Sequence, residues 1–304
     1  MTLSVVAIPQ PSLVIAPADI AAHWGIELRR PFEPLATVRN LVVRSGPYVI
    51  REARAPLASI AWEHELLLFL APRVSEVVAP LRAADGSTYL VAGDRVFSVV
   101  PYVDAGLAKR TDERVRAQVP LLLARLHRAM REWPGTRARP GGRPSWRDLD
   151  WVRNETWDWT VIERTPTVER AYAAAREWLK SPPSLTESAV HGDFHPENLL
   201  ASERGIEAVI DWEFARLDWP AADVAAAVTV LALQRDGTLD EGIADDVVTA
   251  YVDAGGEDES HALEPLIRQF LLAVALHGRT RAAQGSSWDP GFQTMIETAL
   301  ERLV

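Results

Sequence analysis

The chain has 304 residues, of which 48% are hydrophobic and 24% charged, and carries a net charge of −10, a composition that suits one large or two modest folded domains. The lack of any cysteine excludes a disulfide framework, a thiolate metal site and thiol catalysis. Basic residues form no Lys/Arg-rich block, which argues against a nucleic-acid partner. No apolar run approaches the roughly 20 residues that cross a bilayer, so a cytoplasmic protein with no membrane contact is expected.

The opening MTLSVVAIPQPSLVIAP is apolar but has no basic start and is interrupted by Pro9, Pro11 and Pro17, so it is expected to be extended and not a signal peptide. A short helix is expected from Ala18 to Trp24. Strands follow at Asn40–Arg44 and Tyr48–Arg51, joined as a hairpin by the turn Ser45-Gly46-Pro47. The run Ser59-Ile-Ala-Trp-Glu-His-Glu-Leu-Leu-Leu-Phe-Leu70 has helical spacing and stops at Pro72, with Ser59 placed to cap it. Strands at Thr88–Ala92 and Val96–Val100 turn at Gly93-Asp94.

After Pro101 the pattern becomes helical, with helices expected at Asp112–Met130, Thr167–Leu179, Ala221–Gln234, Asp240–Ala254, His261–Ala283 and Phe292–Leu303. The Pro/Gly/Arg-rich stretch Pro134–Pro144 reads as an exposed loop. Trp146, Trp151, Trp157 and Trp159 follow closely. They could form an aromatic wall for a cationic substrate, although packing between helices is the commoner use of tryptophan. Asp148, Asp150, Glu155 and Asp158 read as a solvated face or as an amine-binding patch. The elements divide into residues 1–100, a small sheet with one helix, and residues 101–304, mainly helical.

Chemistry is concentrated in His191-Gly-Asp-Phe-His-Pro-Glu-Asn-Leu-Leu200 and in the strand-like Ala208-Val-Ile-Asp-Trp-Glu213. Phosphoryl transfer to an alcohol needs a carboxylate to orient the hydroxyl and oxygen ligands to hold Mg²⁺ against the phosphates. Asp193 can supply the first; Asn198 and Asp211 can supply the second. The five-residue step from Asp193 to Asn198 lets one loop present both, with Pro196 stiffening its turn.

His-x-Asp-x-x-x-x-Asn followed by an apolar strand and Ile-Asp-x-Glu resembles the aminoglycoside phosphotransferase and choline kinase family, relatives of the protein kinases. The resemblance implies an α+β, bilobal protein-kinase-like fold, with nucleotide between a nucleotide-binding lobe (1–100) and a catalytic, acceptor-binding lobe (101–304). It further implies an enzyme that moves the γ-phosphate of ATP or GTP, with Mg²⁺, onto a hydroxyl of an amino-sugar, aminoglycoside-like, choline-like or homoserine-like acceptor. By the same resemblance Asp193 matches the catalytic aspartate, His191 the histidine that buttresses its loop, and Asn198 and Asp211 the metal ligands. Asp223 matches an aspartate that opens a helix and braces the loop. Val99-Val-Pro-Tyr-Val103 matches the hinge, so that Pro101, Tyr102 and Val103 would contact the base, and Leu123-Ala-Arg-Leu-His127 matches a core helix.

Two departures stand out. The third strand carries Arg51 where the family usually has lysine, and the chain's only lysines are Lys109 and Lys180. Arginine stays charged and can grip phosphate through two N–H groups, with Glu63 its expected partner in preference to Glu65. The phosphate loop Pro34-Leu-Ala-Thr-Val-Arg-Asn40 has no glycine, so close backbone approach to phosphate is harder.

The residues also admit other readings. They are a non-catalytic nucleotide-binding relative, a protein kinase, and a metal-dependent hydrolase using His191, Asp193 and His195. No activation-segment-like stretch separates Asp211 from Asp223, and His23, His64, His127, His261 and His277 lie in helical contexts without metal spacing. His127 is expected simply to pack. Oligomeric state is not readable from the sequence.

Overall fold

The computed structural model describes residues 13–35, 40–142, 145–147, 165–285 and 289–304. The opening residues 1–12, residues 36–39 of the glycine-free Pro34–Asn40 stretch, Trp151, Trp157, Trp159 and the acidic residues from Asp148 to Asp158 lie outside the described residues. The chain forms two compact units, Met1–Asp104 and Ala105–Val304.

In the first unit helix α1 (Pro17–Trp24) precedes an antiparallel sheet of order β1-β2-β3-β5-β4. Its strands are β1 (Glu33–Pro34), β2 (Leu41–Ser45), β3 (Tyr48–Ala53), β4 (Leu90–Ala92) and β5 (Arg95–Pro101). Gly46 turns the β2–β3 hairpin with φ 59°, a conformation glycine adopts without steric cost. Strand alternation sorts the residues: Ile50 enters a core with Ile20, Trp24, Val43, Phe97 and Val99, while Ala53 packs with Ile60 of helix α2 (Leu57–Leu70). Arg51 shares the Ala53 face, and Glu63 lies one turn beyond Ile60, so the period of 2 and the period of 3.6 bring the two charges together.

Helix α2 begins a turn earlier than its sequence suggests. Pro56, not Ser59, is the N-cap: its carbonyl accepts from Ser59 N–H at 2.9 Å and from Ile60 N–H at 3.2 Å. Its fixed φ suits that position, and Ser59 is buried inside the helix.

The second unit holds the helices α3 (Glu113–Arg131), α4 (Pro166–Trp178), α5 (Pro220–Ala232), α6 (Glu241–Asp253), α7 (Leu263–Ala283) and α8 (Pro290–Arg302). Asp112, Thr165, Asp240 and Asp289 cap α3, α4, α6 and α8 by accepting a backbone N–H of the first turn. Helix α5, rich in alanine and valine, is buried on nearly every face, as an all-apolar helix must be. Two small antiparallel sheets accompany the helices. One pairs β7 (Ser188–Val190) with β10 (Arg216–Asp218); the other runs β6 (Gly106–Leu107), β8 (Leu199–Ser202), β9 (Gly205–Val209). The strand expected over Ala208–Ile210 is the end of β9, which stops one residue earlier at Val209; Asp211 then takes φ 61°, ψ 57°, and Trp212–Phe214 form a single 3-10 turn. Among the described residues no helix is long and apolar enough to cross a membrane.

Candidate active site

The loop between β7 and β8 carries Asp193. Asn198 closes it through a 3-10 turn, Pro196–Asn198, whose first position suits the fixed φ of proline. The Asn198 amide donates to the Asp193 carbonyl at 2.8 Å and to Asp193 Oδ2 at 3.0 Å. Both its N–H groups are then spent, which leaves Oδ1 as an acceptor for a cation. The other carboxylate oxygen, Asp193 Oδ1, lies 3.4 Å from His195 Nε2. Burial alone would raise the Asp193 pKa, but the charge and hydrogen bond of His195, then His191 and Asn198, hold it down to about 2. For His195, burial works against the charged ring, yet Asp193, Glu197 and Asp211 together lift its pKa above the ordinary histidine value.

His191 is fully buried, and its ring bridges two segments: Nδ1 accepts from Asp193 N–H at 3.3 Å and Nε2 meets the Ile210 carbonyl at 3.0 Å. An N–H donor at Nδ1 and a carbonyl oxygen at Nε2 fix the neutral, Nε2-protonated tautomer, and burial lowers its pKa accordingly. With both nitrogens engaged, His191 has no lone pair for a metal, so the hydrolase cluster of His191, Asp193 and His195 loses a ligand. Ile210 N–H returns to the Asn198 carbonyl at 2.9 Å, which sets Asp211 beside Asn198.

Asp223, in the first turn of α5, accepts the backbone N–H of His191 and of Gly192, both at 2.8 Å. Burial would raise its pKa, but the hydrogen bond and charge of His127 and the contacts with His191 lower it. His127 does more than pack. Its Nε2 lies 3.3 Å from Asp223 Oδ2 and its Nδ1 2.8 Å from Tyr251 Oη. The ionised Asp223 carboxylate can only accept, so neutral His127 donates to it from Nε2 and accepts the Tyr251 hydroxyl proton at Nδ1; burial also pushes the Tyr251 phenol above its usual pKa. This relay carries no sequence signal beyond the helical spacing of His127.

In the first unit Arg51 Nη1 meets Glu63 Oε1 at 2.5 Å, with Glu63 only 2% exposed. Glu65 is exposed on another face of α2. Strand β5 ends at Pro101, Tyr102 N–H is taken by the Pro47 carbonyl at 2.8 Å, and Arg44 lies over the Tyr102 ring at 3.8 Å.

The model of the phosphotransferase enzyme family matches residues 30–263. The chain belongs to that family. The phosphotransferase family's protein-kinase-like α+β fold is also what solved structures resemble. An amicoumacin kinase in complex with AMP-PNP, Ca²⁺ and amicoumacin superposes with a TM-score of 0.74 over 94% of this chain and 92% of that one, at 13% identity. A microcompartment-associated aminopropanol kinase gives 0.68 over 94% of each chain at 19% identity. Among curated family relatives, a homoserine kinase of Beijerinckia indica is 30% identical over 186 residues. That stretch covers 59% of this chain and spans 56% of the relative's own length.

Proposed function

We propose that this member of the phosphotransferase family transfers the γ-phosphate of ATP or GTP to the hydroxyl of a small amino alcohol, with homoserine the first acceptor to try. The observation that carries this reading is the Asp193 carboxylate, held ionised between His195 and Asn198 on the loop that also abuts Asp211. Each of its oxygens keeps a lone pair beyond the one its partner occupies. A carboxylate this weakly basic orients the acceptor hydroxyl and takes its proton late. The new P–O bond forms as the bond to the β-phosphate oxygen breaks, and the nucleoside diphosphate leaves. Residues 1–100 would hold the nucleotide. There, Glu63 locks Arg51 to face phosphate oxygens, and Val103 N–H is the hinge donor left for the base, since Pro101 has none and Tyr102 has spent its own. Residues 101–304 would hold the catalytic loop and the acceptor.

The Asn198 oxygen and the Asp211 carboxylate are hard ligands that suit Mg²⁺, which when bound would neutralise charge on the phosphates. The acceptor class draws support from the activities of similar proteins, a homoserine kinase and an aminopropanol kinase among them. No observation favours the non-catalytic or hydrolase readings over this one.

The test is thermal stabilisation by ATP and GTP with Mg²⁺, followed by diphosphate release against homoserine, aminopropanol, choline and aminoglycosides. Stabilisation with release on one acceptor is expected; stabilisation by neither nucleotide would refute the reading. Asp193→Asn is expected to cut turnover by at least about 10²-fold, the contribution of a positioned base, while leaving nucleotide stabilisation in place.

A further inference from the structure

Arg139 sits in the stretch that the sequence marks as an exposed loop. Most of its described neighbours are exposed, but Arg139 is buried, only 7% exposed. A guanidinium cannot shed its charge on burial, so its place has to be secured by acceptors. Its Nη1 donates to the Trp212 carbonyl at 2.8 Å and to the Ala215 carbonyl at 3.2 Å. These two carbonyls bracket the 3-10 turn that directly follows Asp211.

Asp211 needs such bracketing. It is the only non-glycine residue with positive φ among the described residues, and such a conformation costs free energy that surrounding contacts must offset. The contacts are arranged along the turn. His191 Nε2 bonds the Ile210 carbonyl before Asp211, Arg139 bonds the carbonyls of Trp212 and Ala215 after it, and Arg216 Nη1 bonds the Phe214 carbonyl at 3.0 Å. Of these, Arg139 alone reaches in from the distant loop before residue 143. His191 belongs to the catalytic loop itself, and Arg216 is a near neighbour of the turn in sequence.

We infer that Arg139 is a positioning residue for Asp211. By tying both ends of the following turn it holds the Asp211 carboxylate in the orientation that meets a divalent cation beside Asn198. The inference rests on the phosphotransferase reading of the site, and it concerns cation affinity in place of the acceptor or the base.

The experiment is the binding of Mn²⁺, a paramagnetic stand-in for Mg²⁺, followed by electron paramagnetic resonance with a non-hydrolysable ATP analogue, in wild type, R139L and R139K. R139L keeps the side-chain stem and removes every donor; R139K keeps the charge with a shorter reach. A Kd for Mn²⁺ at least tenfold weaker in R139L, with partial recovery in R139K and unchanged affinity for the nucleotide analogue without metal, is expected. Equal Mn²⁺ affinity in wild type and R139L overturns the role of Arg139 while leaving the phosphotransferase reading intact. No nucleotide-dependent Mn²⁺ binding by wild type overturns that reading itself and this inference with it. Should R139L not fold, R139K decides: weaker Mn²⁺ binding supports the role, and wild-type binding overturns it.

Discussion

Gly192 shows how closely the Asp193 loop and the Asp211 turn are packed. Its φ is +83°, and a Cβ built there would stand 2.3 Å from the Phe214 carbonyl oxygen. The carbonyl is backbone already bonded by Arg216, so it cannot yield as a flexible side chain would. Gly192→Ala must therefore push the Asp193 loop off the Asp211 turn, and a displacement of that order costs on the order of 10²-fold in rate. Steady-state turnover beside a folding check by circular dichroism reads the outcome; wild-type activity would show that the two segments separate freely. His195 provides a second residue-scale test. Its folded pKa is raised by Asp193 and its unfolded pKa is near 6.5. The stability it adds is thus fully present below about pH 6.5 and is lost as pH rises through the higher folded value. The melting temperature of the apo protein is expected to exceed that of His195→Gln most at pH 6, with the gap closing toward pH 9; a gap that widens with pH would reverse the sign. That Asp193 and Asn198 share one loop was legible in their spacing. Arg139 was not, because an arginine among Pro, Gly and Arg has the composition of a solvated loop and only tertiary contact reveals its burial.

At the scale of elements, periodicity found those that bury a face over many residues. The β2–β3 hairpin, α2 and the helices of the second unit all appear within a few residues of their expected ends. Strands β6, β7 and β10 escaped because two or three residues establish no period, and their pairing is set by the loops they frame. The strand expected over Ala208–Ile210 lies within one residue of the end of β9, but the left-handed backbone of Asp211 just beyond it has no signature in the alternation of apolar residues. Helix α5 acts on the site as a unit. Its buried length fixes Asp223, and Asp223 fixes the N–H groups of His191 and Gly192 at the start of the Asp193 loop. Asp223→Ala leaves the buried His191 N–H without its acceptor, at about 1–3 kcal/mol, and strips the partly buried Gly192 N–H of its partner as well. A lower urea midpoint with an unchanged slope is the expected result. A midpoint within error of wild type would mean that water replaces the carboxylate.

For the molecule as a whole, the fold persists at 13% identity to the amicoumacin kinase, which means that few positions need be shared for the architecture to form. The same latitude explains why the acceptor was not legible: it is read by side chains whose identities the fold leaves free. Net charge gives a way to sort acceptors that does not depend on knowing those side chains. At −10 the protein draws cations and repels anions over distances that salt screens, with a Debye length of about 30 Å at 0.01 M and about 8 Å at 0.15 M. If aminopropanol or choline is the acceptor, its KM is expected to rise as sodium chloride is raised from 0.01 to 0.15 M. Homoserine, a zwitterion without net charge, should hold its KM nearly constant over the same range. The KM of the anionic nucleotide should fall or stay level, because screening removes repulsion by the whole chain. A nucleotide KM that climbs with salt would instead show that the local charge of Arg51 outweighs the net field.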